Sequence, residues 1–515
     1  MTRIGIDVGG TNTDAVVLSE TVVQAATKVA TTEDVTSGIL NALQNLLARP
    51  EVNGQDIEAA MIGTTHFINA VIQRRQLSRC AVLRIGLPEN ASLPPFTDWP
   101  VDLATAVNGG IFMVEGGHDY DGRPFMPLDE TTIREVAQQI RNSGVGALAI
   151  SAIFSPLDPS DEERAAEIIR QEIPDIHITC SHTLGRIGLL ERENATILNA
   201  ALIELAYETI HSFEQALKTS GIKAPLYLTQ NDGTVMSAER AIQAPILSFA
   251  SGATNSMRGA AALSGLENGM VVDVGGTTTD IGALRHGFPR EANAAVKIGG
   301  VRTLFRMPDL LSIGLGGGSH VIQSAQGVTV GPQSVGYRLT TDARIFGGAH
   351  LTTSDIAVAR GQLSLGEATY VQDLDSNLID AATVEIKRIL SDAIDSMKME
   401  AGLVPILAVG GGAFLVPDDL PGVSEVIRVT HGDVANAVGA AIAQISGETD
   451  QVFQGMGRDA ALAEAERMAI ERAIAAGAEP TTITTVDVED TPLAYLPGDA
   501  RRVRTRVVGD LDGSQ

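Results

Sequence analysis

The sequence predicts an α/β protein of two lobes with a small α/β appendage at its C-terminal end. Three observations carry this expectation. At 515 residues the chain has room for roughly two to four domains, each with a core of its own. One segment occurs twice: Ile4–Asp14 returns as Met270–Asp280, and seven of the eight residues Asp7–Asp14 are repeated in Asp273–Asp280. Short apolar runs also alternate with segments of helical spacing in both halves.

In chain order, each copy of the repeat is an apolar run, an Asp, two glycines, hydroxyl residues and a second apolar run (Ala15–Leu18; Ile281–Leu284). That pattern reads as a β-hairpin whose turn is its polar part. Glu33–Leu47 and Thr131–Arg141 have helical spacing, while Ala81–Ile85 and Ala147–Phe154 read as buried strands. Pro156, Pro159 and the run Asp161-Glu162-Glu163 open a further helix that Pro174 closes. A short strand, Ile176–Cys180, precedes a long amphipathic helix, Glu191–Lys218, with Leu198, Leu202, Leu205 and Ile210 on one stripe; it is expected to link the lobes. The second lobe starts near Leu226-Tyr227-Leu228, holds the repeated hairpin, and has a helix capped at Thr352–Asp355. A Gly- and Ala-rich helix is expected over Val434–Ser446, then a helix over Asp459–Ala476 and β-rich segments Thr481–Val488 and Arg501–Val508. The expected division is 1–180, 181–446 and 447–515.

Composition excludes several classes. Thirty-seven Lys and Arg against 63 Asp and Glu give a net charge of −26, which repels phosphate backbones and anionic lipid, so nucleic acid is not an expected partner. The longest apolar stretches run to about eight residues, well short of the roughly 20 a membrane helix needs. The first apolar run carries Asp7 and Asp14 and so is no secretory signal. Cys80 and Cys180, a hundred residues apart, suit a reducing cytoplasm, have no metal-ligand spacing, and read as small buried hydrophobes.

The repeated turn has a defined chemistry. Gly9 and Gly10, and Gly275 and Gly276, let backbone N–H groups approach an oxyanion, and Thr11, Thr13, Thr277 and Thr278 add hydroxyl donors, as does Thr279. Two such turns, one per half, can clamp a polyphosphate from opposite sides. Asp7 and Asp273 would repel phosphate unless Mg²⁺ or water lies between. They are therefore the candidate metal ligands and catalytic carboxylates, one ordering Mg²⁺ and the other orienting a nucleophile; the sequence leaves open which does which. Asp14 and Asp280 end the turns and serve equally well as turn stabilisers.

Paired D-x-G-G-T-x-x-D hairpins resemble the two phosphate loops of the actin and hexokinase superfamily, which implies two actin-like lobes with ATP bound between them. That superfamily also uses a late glycine-rich adenosine loop, which Gly410, Gly411 and Gly412 in Leu407–Ala413 fit. Gly63–Ala70, Gln230–Gly233, Ser251–Ser256, Ser312–Ser319 and Val330–Tyr337 are similar to the hydantoinase/oxoprolinase A family, and the resemblance runs from residue 4 to roughly residue 510, through Thr491–Gly498. It implies an ATP- and Mg²⁺-dependent enzyme that activates a cyclic amide such as a hydantoin or an oxoproline-like ring, in a homo-oligomer or together with a second, B-type subunit. Many relatives are longer, so a chain ending soon after Val508–Asp510 is expected to lack a C-terminal domain and to complete only the phosphorylation. Asn12 stands where relatives often carry Phe. The same fold also allows a small-molecule kinase, a carboxylase subunit or a nucleotide-gated regulatory subunit.

Four further sites are candidates. His66 follows Gly63-Thr64-Thr65 with Asn69 one helical turn on, where a substrate carbonyl or metal can reach it. Gly316 and Gly317, within Gly314–Ser319, offer backbone donors to phosphate. Asn255 is a polar residue for the same cleft. His118, Asp119 and Asp121 form a polar cluster that reads better as a solvated turn than as a metal site.

Overall fold

The computed structural model describes residues 1–10, 12–30, 35–120, 122–185, 187–292, 294–494 and 498–512. Thr11, Glu33, Asp121 and Tyr495–Pro497, all named above, lie outside the described residues.

Both copies of the repeat form hairpins, and in the same register. Thr2–Val8 pairs antiparallel with Asn12–Ser19, setting Asp7 opposite Asp14; Gly269–Val274 pairs antiparallel with Thr279–Arg285, setting Asp273 opposite Asp280. The likeness extends one strand further. Thr2–Val8 has Ala59–Thr64 parallel on its other side, and Gly269–Val274 has Val404–Val409 in the equivalent place. The central strands are flanked on both sides, which is why they read as nearly continuous Ile and Val. Each turn is closed by its first glycine: Gly9 N–H donates to Asn12 O at 3.0 Å and Gly275 N–H to Thr278 O at 2.9 Å.

The first hairpin belongs to a nine-stranded sheet and the second to a six-stranded one. Between them in sequence, four parallel strands (Asn108–Glu115, Cys80–Leu87, Ala147–Ala152 and His177–Cys180, in spatial order) make a separate sheet with its own apolar cluster. The helices Glu130–Ser143 and Ser160–Glu172 cover it.

Three expectations are corrected by this topology. The long helix, Leu189–Thr219, is not an amphipathic surface element: residues 192–203 are buried all round, because it lies between the helix Val35–Leu47 and the four-stranded sheet. Its polar residues there are paired, as in the buried Arg84–Glu193 ion pair. The boundaries at 180/181 and 446/447 do not follow the sheets. Leu226–Thr229 and Thr234–Ser237 join the first hairpin's sheet, and Gln444–Phe453, Arg501–Gly509 and Thr484–Pro492 extend it at the same edge, so the C-terminal part is three strands of that sheet with the helix Arg458–Ala475 packed on them. The helix expected over Val434–Ser446 stops at Ala441, because Gln444 and Ile445 pair in parallel with Thr234 and Val235.

Two small-residue helices, Ser251–Ser264 and Ala435–Ala441, cross at the junction of the two large sheets. The crossing is close enough that a Cβ on Gly439 would lie 1.8 Å from Asn255 O, one on Gly259 1.9 Å from Ala435 O, and one on Gly5 2.1 Å from Ala437 O. Only glycine fits at these three contacts. Among the described residues no helix is long and apolar enough to cross a membrane.

Candidate nucleotide-phosphate site

The crossed helices hold the repeated carboxylates. Asn255 Nδ2 donates to Asp7 Oδ1 at 3.2 Å, and Asn436 Nδ2 donates to Asp7 Oδ2 at 3.1 Å and Asp14 Oδ2 at 2.8 Å. Lys28 Nζ lies 2.6 Å from Asp14 Oδ1. In the second half, Ser256 bonds Asp273 and Ser312 bonds Asp280. Asn255 and Ser256 are consecutive, so one helix reaches Asp7 with one side chain and Asp273 with the next.

The electrostatics follow from that convergence. Burial, then the charge of Asp14, pushes Asp7 up to about 6. Burial, then the charges of Asp280 and Asp7, pushes Asp273 up to about 6 as well. The two hairpins are thus near enough for one Asp to raise the other. Asp14 and Asp280 are also raised, chiefly by burial. Lys28 is the cation that acts on Asp7, Asp14 and Asp273. Oxygen donors with so little counter-charge, Asp7 buried and Asp273 half-buried, fit a hard divalent ion such as Mg²⁺, and these two are the residues that would hold it.

The glycine loops gather round the second turn. Gly317 N–H donates to Gly275 O at 3.0 Å, Gly318 N–H to Gly276 O at 2.8 Å, and Gly316 N–H to Ser319 Oγ at 2.8 Å. The Gly317 donor is therefore engaged in bracing the turn and the Gly316 donor within its own loop, while the Thr279 hydroxyl ties the hairpin to that loop at Leu315 O, 2.6 Å away. Gly412 N–H reaches Val274 O at 2.7 Å and Gly410 N–H reaches Gly432 O at 2.9 Å. Gly410 has φ of +85°, and a Cβ there would meet Asp273 Oδ1 at 2.3 Å, so a side chain is excluded twice over. The N–H groups of Gly276 and Gly411 make no hydrogen bond among the described residues, and Gly10 and Thr278 are exposed. Thr277 is half-buried, whereas Thr13 is fully buried within its hairpin.

His66 opens the helix His66–Gln73 directly after the strand beside Asp7. Its N–H bonds Thr64 Oγ1 at 3.1 Å, its ring packs edge-on against Phe67, and burial holds its pKa below the ordinary value. Thr65 reaches back to Val8 O, and Asn69 Nδ2 donates to Thr65 Oγ1 at 3.3 Å. Gly63–His66 leaves its strand where Gly410–Gly412 leaves the equivalent strand of the other half, a correspondence the two sequences do not display. His118 lies instead at the rim of the four-stranded sheet, 3.6 Å from Asp158 and 3.8 Å from Asp161.

The sequence reading does not single out Asn436 or Lys28, and it names Ser256 and Ser312 only within family-like motifs, without a role. Asn436 had a readable signal, as the sole polar side chain in the helix Ala435–Ala441. Lys28 had none, and the roles of Ser256 and Ser312 come from packing across the chain.

Two hairpins in matched register, each flanked by a parallel strand and joined at crossed small-residue helices, define a two-lobed protein of the actin-like ATPase fold. Within that class the chain belongs to the hydantoinase/oxoprolinase family: residues 3–173 match the hydantoinase/oxoprolinase N-terminal region and residues 192–401 match the hydantoinase/oxoprolinase domain. It is 29% identical over 395 residues to caprolactamase subunit alpha of Pseudomonas jessenii, covering 71% of this chain and 55% of that protein. It is 27% identical over 395 residues to acetophenone carboxylase gamma subunit of Aromatoleum aromaticum, covering 70% and 53%. The chain thus spans about half the length of the curated relatives it matches. The solved ATP-dependent caprolactamase from Pseudomonas jessenii superposes with a TM-score of 0.78 over 99% of this chain and 88% of that one, at 19% identity.

Proposed function

We propose that this chain binds Mg²⁺-ATP between the two hairpins and uses it to activate a cyclic amide for ring opening. The supporting observation is the convergence of Asp7 and Asp273 on adjacent side chains of one helix. The amide carbonyl oxygen attacks the γ-phosphorus, the bond to the ADP oxygen breaks, and an imidate phosphate forms. Water then adds to the activated carbon, the C–N bond breaks as the nitrogen takes up a proton, leaving an acyl phosphate on the opened ring, and a second water releases inorganic phosphate and the carboxylate. Mg²⁺, when bound, supplies charge stabilisation on the moving phosphoryl group. The chain's own contribution is positioning: the N–H groups of Gly276 and Gly411, unbonded among the described residues, for phosphate and adenosine, and His66 for the substrate carbonyl. The caprolactamase relative is a subunit alpha, and a second subunit that completes the hydrolysis belongs to this reading.

A panel of hydantoins, 5-oxoproline and lactams, assayed for ADP and free phosphate, tests the proposal. Substrate-dependent release of both is expected, and a phosphorylated product that persists would indicate a kinase instead. The carboxylase relative supports a second reading, a carboxylase subunit, for which ATP consumption would require bicarbonate. His66→Ala is expected to lower substrate-stimulated turnover about 100-fold while the Kd for nucleotide stays unchanged. Unaltered kinetics would leave His66 a packing residue.

A further inference from the structure

Away from the hairpins, a cavity of about 680 Å³ opens where the turn after His177–Cys180, the short helix Ala238–Gln243 and the C-terminal strands meet. Its size suits a small organic ligand. No glycine-loop residue and neither repeated Asp lines it. On a chain of net charge −26, four arginines among the described residues face this space, Arg240, Arg306, Arg472 and Arg502, against Glu239, Glu448 and Asp450. Two are matched inside the protein: Arg306 pairs with the buried Asp232 and with Glu448, and Arg502 grips both oxygens of Asp450. Arg472 spends one N–H on Glu448 O.

Arg240 is different. Its side chain makes no hydrogen bond or ion pair among the described residues, yet it is half-buried, and burial lowers its pKa with no carboxylate to offset that. A guanidinium carries five donors and stays charged, so one withdrawn from bulk water without a partner is set to receive an anion. Leu157, Leu184 and Leu247 supply an apolar wall. The neighbouring Glu162–Cys180–His182 group offers no alternative as a metal site. Glu162 already accepts from Ala152 N–H, the Ser181 hydroxyl and His182, and the Cys180 thiol is pushed up to about 12.

We propose that this cavity is a second small-molecule site, taking an oxyanion on a compact apolar body, carboxylate or phosphate, with Arg240 as its anchor and Arg472 beside it. It stands independently of the chemistry assigned to the cleft. Calorimetric titration of the full chain with hexanoate, hexylammonium and inorganic phosphate tests it, in wild type, Arg240→Met and Arg240→Lys. Hexanoate is expected to bind wild type, to weaken at least about tenfold in Arg240→Met and to be partly restored in Arg240→Lys, while hexylammonium does not bind. Phosphate binding that matches hexanoate and is lost with Arg240 would make phosphate the preferred anion and still support the site. Arg472→Met, expected to weaken hexanoate severalfold, carries the test if Arg240→Met misfolds, and an unchanged thermal shift with Mg²⁺-ATP reports intact folding. Equal hexanoate affinity in wild type and both Met variants, no binding of either anion to wild type, or equal binding of hexylammonium would overturn the proposal.

Discussion

Replacing Asp7 or Asp273 by Asn is expected to remove ATP turnover and, in the same step, to stabilise the nucleotide-free protein. The first effect follows from the proposed role of these carboxylates. Losing a preorganised charged group at a phosphoryl-transfer site lowers turnover by roughly 100- to 1,000-fold or more. The second follows from their pKa values. Each is raised from 3.8 to about 6 by burial and by neighbouring acids. A carboxyl whose folded pKa is raised contributes stability that is fully present below its unfolded pKa and is lost as pH rises through the folded one. At pH 7 each ionised Asp therefore costs the empty protein roughly 3 kcal/mol, less where the two are coupled. An amide of the same shape avoids that cost and keeps the space filled. The gain in Tm of Asp7→Asn over wild type should be largest near pH 7, shrink through pH 6, and vanish near pH 4, where the wild-type carboxyl is itself neutral. Added Mg²⁺-ATP should reverse the order, stabilising wild type and leaving the variant nearly unmoved. Full turnover in both variants would dismiss the hairpins as the phosphate clamp, and a pH-independent difference in Tm would dismiss the electrostatic account.

The hairpins were legible because their information is local. Asp, two glycines and Thr within eight residues specify a turn, and recurrence of that turn specifies a pair. The register that sets Asp7 opposite Asp14 follows from turn length and alternation, so it too could be read. What could not be read is what lies beside each element in space. The segments Thr484–Pro492 and Arg501–Gly509 are recognisable as strands, but nothing in their residues says that they continue the sheet begun at Thr2. The helix Leu189–Thr219 has an apolar stripe and also Ala, Thr and Asn on its other faces, and only the sheet packed against those faces turns an apparently amphipathic helix into a buried one. The loop Gly314–Gly318 shows the same limit at the site. Its glycines read as backbone donors to phosphate, but the N–H groups of Gly317 and Gly318 go to the carbonyls of Gly275 and Gly276.

Gly439→Ala is expected to have the largest effect on stability of any single methyl added to this chain. Two opposed terms decide the sign. Within a helix Ala is favoured over Gly by about 1 kcal/mol, and Gly439 lies inside Ala435–Ala441. Against this, the new Cβ would stand 1.8 Å from Asn255 O and 2.6 Å from Asn255 C, contacts with backbone that no rotamer change relieves. Relief requires the two helices to move apart by more than 1 Å, opening the packing around Ala437, Ala441 and Gly5, and overpacking of this kind costs about 3 kcal/mol or more. The steric term wins. The consequence reaches the site, because Asn255 rides on one of these helices and Asn436 on the other, and their amides meet on the carboxylate of Asp7. Any Gly439→Ala protein that still folds should bind Mg²⁺-ATP at least tenfold more weakly than wild type, a difference of about 1.4 kcal/mol. Gly411→Ala is the matched control. A Cβ there meets nothing within 4 Å, so unfolding should be nearly unchanged while nucleotide affinity falls, if adenosine lies against that loop. Denaturant melts of the two variants, read beside their nucleotide titrations, separate the roles: a Gly439→Ala protein as stable as wild type would mean that the helices do not cross as closely as their glycines require.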